Sequence, residues 1–141
     1  MNDDVLTENL SVDALIADWG SAGTCRRILH LAKHVGYGNG SVHVAVDLAC
    51  VQAAAGHDVT FVSGGGTFVD LLVSQGVNHV TLAQDHKRLL AALTSLRQLI
   101  GLVRARRPDV IHAHMMGSAV LGYGASLACG APLVTTVHNS F

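Results

Sequence analysis

The sequence has little charge, and what charge it has is nearly balanced. Of its 141 residues 13% are charged, the formal net charge is -1, and the one dense basic cluster is formed by Arg104, Arg106 and Arg107. A nucleic-acid-binding surface requires a broader basic patch, so we expect no nucleic-acid partner. We interpret the arginine cluster as the solvated end of a helix.

The sequence is also poor in cysteine and has no long apolar run. Cys25, Cys50 and Cys129 are odd in number and far apart, a pattern that indicates neither a disulfide framework nor a zinc knuckle and favours a reducing compartment. The first twenty residues carry acids where a signal peptide carries bases, and no apolar run approaches the roughly 18 residues that a membrane span needs. We therefore expect a cytoplasmic protein.

What the sequence does have is a regular change of apolar spacing along the chain. Short apolar runs alternate with segments in which apolar residues recur every three or four positions. We predict strands at 27–32, 58–63, 77–82, 109–114 and 132–138, and helices at 41–55, 67–75, 89–107 and 117–129. This alternation predicts an α/β fold, a Rossmann-like doubly wound parallel sheet of about five strands between two helical layers.

The pattern divides the chain into an N-terminal extension at 1–24 and one Rossmann-like domain at 25–141. The last predicted strand is followed only by Asn139, Ser140 and Phe141, which are typical of the start of a loop, so we expect a fragment or truncated product. An uncovered last strand also predicts exposed apolar surface and self-association.

Unusual polar residues follow the predicted strands at the point where each strand ends. A glycine loop, VGYGNGS at 35–41, follows the first strand, and Ser63 with three glycines ends the second. Histidines end the fourth and fifth strands, namely His112, His114 and His138. Because ligands bind at the carboxyl ends of parallel strands, we expect these segments to converge on one rim.

The glycine loop permits two interpretations. The sequence argues against a dinucleotide site, since its fingerprint needs a glycine where Ser41 stands and an acidic residue where the second strand ends in Ser63. Gly38 and Gly40 let the backbone approach a ligand closely, and the N–H groups that open the helix near Ser41 would face an anion. Alternatively, the loop is only a tight turn in which Ser41 is the N-cap.

The histidines predict a polar pocket. His112 and His114 lie two apart on a strand, so both side chains point to one face. No carboxylate or third histidine pairs obviously with them, so we expect no metal. With His138 they predict a shared pocket that hydrogen-bonds sugar hydroxyls. We interpret His30 and His79, which lie within strands, as structural.

Three segments together resemble one family in order and spacing: GYGNGSVHVAVDLACVQAAAGHDVTFVS, RRPDVIHAHM and APLVTTVHNSF. The resemblance is to the N-terminal half of GT-B glycosyltransferases of family 4, which has a glycine-rich loop, a helix ending in Gly-His-x-Val, a Pro-Asp-x-x-His-x-His segment and a Thr-x-His segment. It runs from about Arg26 to Phe141, roughly four fifths of the chain.

The resemblance implies the acceptor-side domain of a two-domain enzyme that transfers a sugar from a nucleotide-sugar to a glycan, lipid or metabolite with retention of configuration. It implies no metal and no cofactor besides the nucleotide-sugar co-substrate, and a lipid acceptor would bring the enzyme to the inner face of a membrane. The site residues that it implies are, for the donor diphosphate and substrates, Gly38, Gly40, Ser41, His112 and His114, and, for the catalytic contact with the donor sugar, His138.

The sequence departs from the family's pattern in two ways. The loop is commonly Gly-Gly-x-Glu, whereas this chain has Gly40, Ser41, Val42 and His43, so the acidic position is either lost or replaced by His43. The C-terminal domain that binds the nucleotide-sugar is missing from the sequence, so we expect the chain to be inactive alone. The alternative hypothesis is a non-catalytic Rossmann-type module that binds a small anion or a protein partner through the same loops.

Overall fold

A parallel sheet forms the centre of the fold. The computed structural model describes residues 24–84 and 88–137, and within them five parallel strands pair in the order β3-β2-β1-β4-β5. The strands are β1 (Arg27–Leu31), β2 (Asp58–Ser63), β3 (Asn78–Thr81), β4 (Val110–His114) and β5 (Leu133–Thr136). Each lies within a predicted strand, so the predicted doubly wound α/β sheet is confirmed.

The helices of the described residues are α1 (Gly40–Ala54), α2 (Val69–Ser74), α3 (Leu89–Arg106) and α4 (Met116–Cys129). Their ends agree with the predicted ones to within two residues. The arginine cluster lies exposed at the end of α3, as predicted, and Pro108 follows it. None of these helices combines the length and the apolarity that crossing a bilayer would take. Apart from Thr24, the predicted N-terminal extension lies outside the described residues.

The sheet carries a separate core on each face, because side chains alternate along every strand. On one face α1 and α2 cover Val59 and Phe61 of β2. On the other face α3 and α4 cover Leu29, Val62 and Ile111. All five side chains are at most 1% exposed, and burial of side chains of this size stabilises a fold by about 1.5–3 kcal/mol each.

The strand order reverses beside β1, which pairs with β2 on one side and with β4 on the other. The chain leaves β1 toward α1 on one face and leaves β4 toward α4 on the opposite face. The loops after these two strands therefore diverge, and a crevice opens at their carboxyl ends. This is the position at which doubly wound folds bind ligands.

Gly66 closes the loop after β2 against the loop after β1. Its φ is +146°, and a Cβ there would lie 2.5 Å from the carbonyl carbon of Val35. We predict that Gly66→Ala lowers the free energy of unfolding by about 3 kcal/mol, because it adds backbone strain to a collision with backbone atoms. Gly101 lies within α3 with open space around it, so the control Gly101→Ala should raise that free energy by about 0.5–1 kcal/mol. Urea unfolding measures both, and an unchanged Gly66→Ala midpoint would contradict this account.

An apolar stripe on α4 faces solvent, and α4 carries no charged residue. The exposed side chains of the stripe are Met116, Val120, Tyr123 and Leu127. We predict that the chain self-associates through this surface, because contiguous exposed apolar area favours association. Sedimentation velocity should show larger species at high concentration, and the double variant Val120→Glu, Leu127→Glu should sediment as a monomer. The control pair Thr94→Glu, Gln98→Glu, at exposed positions of α3, should leave association unchanged.

Candidate functional site

The loops after neighbouring strands meet at the carboxyl edge of the sheet, where the sequence predicts a ligand rim. The loops after β1 and β2 are joined by backbone hydrogen bonds, among them Val35 N–H to Gly65 O at 3.0 Å. At the ends of β4 and β5, Met115 N–H donates to Thr136 O at 3.2 Å. His138, predicted to contribute to this rim, lies outside the described residues.

Asn39, and not Ser41, is the N-cap of α1. The side-chain oxygen of Asn39 accepts hydrogen bonds from the Ser41 backbone N–H (3.1 Å) and from the Ser41 hydroxyl (2.7 Å). The prediction of Ser41 as the N-cap is therefore wrong: the helix begins at Gly40, so the equally good capping residue two positions earlier takes that role. The predicted contacts of Gly38, Gly40 and Ser41 with a diphosphate consequently require the Asn39 side chain to turn away from the helix end.

The glycine segment after β2 supports the loop after β1. Ser63 is buried, its hydroxyl accepts a hydrogen bond from Gly65 N–H at 3.1 Å, and it lies 2.8 Å from Nε2 of His79. Phe68 N–H donates to Val35 O at 2.9 Å. These contacts give the three glycines a structural purpose, which is to let two loop backbones lie against each other.

Three imidazoles meet on the face of the sheet that α1 covers. His30 in β1 is in register with His112 in β4, and His114 lies two residues further along β4. Ring nitrogens of the three lie within 4.8 Å of one another. The expectation that no third histidine accompanies His112 and His114 is therefore wrong. Placing β1 beside β4 would have revealed His30, because residues in register on paired strands project to the same face.

His30 makes a hydrogen bond at each of its ring nitrogens. Its Nε2 lies 2.6 Å from Oε1 of Gln52 in α1, and its Nδ1 lies 2.9 Å from Nε2 of His114. The ring planes of His30 and His114 differ by only 16°, and their centroids are 5.2 Å apart. That separation equals the N···N distance plus one ring radius at each end, so the two imidazoles lie end to end and are not stacked.

His112 is the half-buried member of the cluster. Its Nε2 lies 2.7 Å from the hydroxyl of Thr136, and its ring centroid lies 4.2 Å from that of His114. Burial lowers its pKa. It lies at the carboxyl edge as a neutral group that can both donate and accept hydrogen bonds.

The pKa of His30 is lowered to about 4, mainly by burial. The hydrogen bond to Gln52 opposes this shift, and the nearby His112 contributes to it. A low-dielectric site disfavours the imidazolium ion, so His30 is neutral at pH 7. The centre of the cluster is thus polar but uncharged.

A metal ion would need nitrogens that the cluster already uses. A tetrahedral ion requires lone pairs that converge on one point, whereas the facing nitrogens of His30 and His114 point directly at each other. The cluster has the geometry of a hydrogen-bonded chain. That no metal binds stays a prediction.

A cavity of about 260 Å³ lies at the carboxyl ends of β1 and β4, and its lining residues are Lys33, Gln84, Met115, Gly117 and Ser118. The buried Ser118 hydroxyl donates to Oε1 of Gln84 (2.8 Å), and Nε2 of Gln84 donates to Ala32 O (2.7 Å). Met115 has φ +75° and ψ 155°, a conformation that costs a non-glycine residue about 1–3 kcal/mol and is concentrated at functional sites. None of these side chains was predicted as a site residue, because each is unremarkable in its local sequence.

Comparison with known proteins gives one family. Residues 38–141 match the model described as Glycosyltransferase Family 4. The matched range includes the glycine loop from Gly38, both histidines of β4 and the segment that contains His138. Among curated proteins no sequence gives a significant match.

Solved structures share the fold at low sequence identity. A glycosyltransferase from Rickettsia africae superimposes with a TM-score of 0.73 and 21% identity over 84% of this chain and 31% of its own. Anabaena HepE, in complex with UDP and glucose, gives 0.64 and 21% over 81% of this chain and 30% of its own. The C-terminal domain of the Pyrococcus furiosus PF1911 hydrogenase gives 0.57 and 16% over 79% and 91%. This chain therefore spans about a third of the first two proteins, and the shared fold alone does not distinguish their functions.

The neutral His30 predicts acid sensitivity. Above pH 6.5 the imidazole is uncharged in both states, whereas between pH 6.5 and about 4 only the unfolded chain binds the extra proton. Stability is therefore fully present above pH 6.5 and falls with pH at about 1.4 kcal/mol per pH unit, by about 3 kcal/mol in all. Urea unfolding at several pH values measures this slope.

Two variants isolate the contribution of His30 to that slope. His30→Phe should flatten the pH dependence between 6.5 and 4, since the titrating group is gone. Val59→Ala removes buried volume without touching a titratable group, so it should lower stability equally at every pH. Equal slopes of stability against pH in the parent chain and in His30→Phe would refute the assignment of the acid sensitivity to His30.

Proposed function

We propose, because this chain belongs to glycosyltransferase family 4, that it is the acceptor-side domain of a retaining glycosyltransferase that transfers a sugar from a nucleotide-sugar to a glycan, lipid or metabolite. The observation that carries the proposal is the family match over residues 38–141, which covers the glycine loop and the β4 histidines that the fold brings to one edge of the sheet. The resemblance to HepE, whose structure contains UDP and glucose, supports a nucleotide-sugar as the donor.

The donor side of the proposed site is the glycine loop. Gly38, at φ +97°, and Gly40 let the loop approach the donor diphosphate, and the N–H groups that open α1 at Ser41 stabilise charge as the nucleoside diphosphate leaves. Asn39 holds the Ser41 N–H until the anion replaces it. Catalysis here is positional and electrostatic, with no nucleophile from this domain and no metal.

The sugar side of the proposed site is the histidine cluster. His112 and His114 form the floor of the cleft, and His138 contacts the donor sugar, a role that rests on the Thr-x-His resemblance. Neutral imidazoles suit this task because they hydrogen-bond hydroxyl groups without attracting a counter-ion.

The acceptor is proposed to occupy the cavity between the ends of β1 and β4. Its volume of about 260 Å³ suits one sugar ring or a similar polyol, and a few polar groups are set in a mostly apolar wall. The amide of Gln84 and the hydroxyl of Ser118 hydrogen-bond hydroxyl groups, and Lys33 at the opening favours an acceptor that carries negative charge.

Turnover is proposed to require a second, donor-binding domain, because the chain spans only 31% and 30% of the two longer structures that it resembles. The chain alone is then inactive and binds nucleotide-sugar weakly. We place the complete enzyme in the cytoplasm, at the inner face of a membrane if its acceptor is a lipid.

One observation favours the alternative, a non-catalytic module that binds a small anion or a protein. The hydrogenase domain of similar fold is covered over 91% of its length, so the fold also occurs in a protein whose name indicates other chemistry. Such a module would bind its ligand without a second domain.

A fusion separates the two proposals. Residues 1–141 joined to the donor-binding half of a family-4 enzyme should release nucleoside diphosphate from a nucleotide-sugar when acceptor is present, whereas residues 1–141 alone should not. In the fusion, His138→Ala should lower turnover by about a hundredfold or more, because a donor-sugar contact in the transition state is lost. His57→Ala, at the amino-terminal edge beside Arg26, should leave turnover unchanged.

Near-normal turnover of the His138→Ala fusion would eliminate the role given to His138. A folded fusion that never transfers sugar, combined with tight anion binding by residues 1–141 alone, would favour the binding module.

A further inference from the structure

His30 is completely buried in the middle of the sheet, where an imidazole is costly unless both of its nitrogens are hydrogen-bonded. Both are bonded here, to different elements. Gln52 reaches one nitrogen from α1, and His114 reaches the other from the carboxyl end of β4. The three side chains form a continuous chain from the helix on one face to the edge that carries the proposed site.

The side chain of Gln52 sets the donor-to-acceptor direction of this series of hydrogen bonds. A carboxamide oxygen can only accept a hydrogen bond, so Nε2 of His30 carries the hydrogen and donates it to Oε1 of Gln52. A neutral imidazole has only one N–H, so Nδ1 of His30 is an acceptor. The hydrogen in the 2.9 Å contact therefore belongs to Nε2 of His114.

The same series of hydrogen bonds also fixes the position of the His114 ring. The end-to-end contact allows the ring only small rotations before the bond to His30 is lost, because hydrogen bonds weaken steeply as they bend. The ring of His114 in turn packs at 4.2 Å, centroid to centroid, against His112, which Thr136 holds from the neighbouring strand. Orientation is thus passed from α1 to the half-buried imidazole at the edge.

We infer that Gln52 and His30 are positioning residues that hold His114 as its Nε2–H tautomer, with a fixed ring orientation, at the floor of the sugar-binding cleft. In a ring held in this way Nε2 carries the hydrogen and Nδ1 does not. The inference rests on the proposed function for its biological meaning, but the tautomers themselves do not depend on that function.

Long-range proton–nitrogen NMR of the 141-residue chain at pH 7 tests the inference, because protonated and bare imidazole nitrogens differ widely in chemical shift. The expected result is one tautomer for each histidine, with the hydrogen on Nε2 in both His30 and His114. Assignment comes from the variants His30→Phe and His114→Phe. A hydrogen on Nδ1 of His30, or a mixture of tautomers at either residue, would overturn the inference.

Substitutions of Gln52 then test whether this residue determines the tautomers of His30 and His114. Gln52→Leu removes the acceptor, so the single tautomer of His30 should be replaced by a mixture and His114 should lose its fixed Nε2–H. Gln52→Glu keeps an acceptor oxygen and should retain both tautomers. Gln98→Leu, the same change at an exposed position of α3, should have no effect. Unchanged tautomers in Gln52→Leu would show that Gln52 positions nothing.

The experiment stands even if Gln52→Leu fails to fold, because the unsubstituted chain and Gln52→Glu still report both tautomers. The NMR experiment uses neither the nucleotide-sugar nor the acceptor substrate. A fusion that folds but transfers no sugar would therefore refute the proposed function and leave the tautomer result intact, whereas wrong tautomers in an active fusion would refute only the positioning inference.

Discussion

The double pairing of β1 is the constraint on which the rest of the structure depends. β1 lies between β2 and β4, and its register sets His30 opposite Phe61 on one side and opposite His112 on the other. A shift of one residue would turn every side chain of β1 to the opposite face, taking His30 away from Gln52 and from His114. The same pairing creates the crevice between diverging loops. The fold and the candidate site therefore both depend on the two hydrogen-bonded ladders that flank β1.

The interior of the fold contains more polar side chains than its apolar strands indicate. His30, Ser63, Gln84 and Ser118 are all buried, and each has a hydrogen-bond partner that the fold supplies. Buried polar groups add little net stability, but they are costly to leave unpaired, so each restricts the arrangement of its neighbours. They are concentrated toward the carboxyl side of the sheet. The geometry is thus most closely defined at the edge of the sheet where the proposed site lies.

Local patterns predicted the elements well, because alternation and helical spacing are properties of neighbouring residues. The exact cap was missed since Asn39 and Ser41 are both good N-cap residues, and only the three-dimensional course of the loop decides between them. His30 was missed as a partner of His112 because strand order is not written in any one segment. The cavity around Gln84 and Ser118 was missed for the same reason: its members lie 34 residues apart. Sequence resemblance, in contrast, indicates the family without any of this geometry.

The bracing of the first loop by the second limits where the cleft can adapt. Lys33 and Val35 are held by backbone hydrogen bonds to Gly64 and Gly65, and the helix begins at Gly40. Residues 36–39 form a short lip between these bonds and the helix, so we expect a change of shape on ligand binding to be concentrated there. Ordering a residue costs about 1–2 kcal/mol of backbone entropy, so a lip this short keeps that cost small. In the proposed site, affinity for a diphosphate would therefore depend on the exchange of the Asn39 side chain for an anion and not on the closure of a flexible lid.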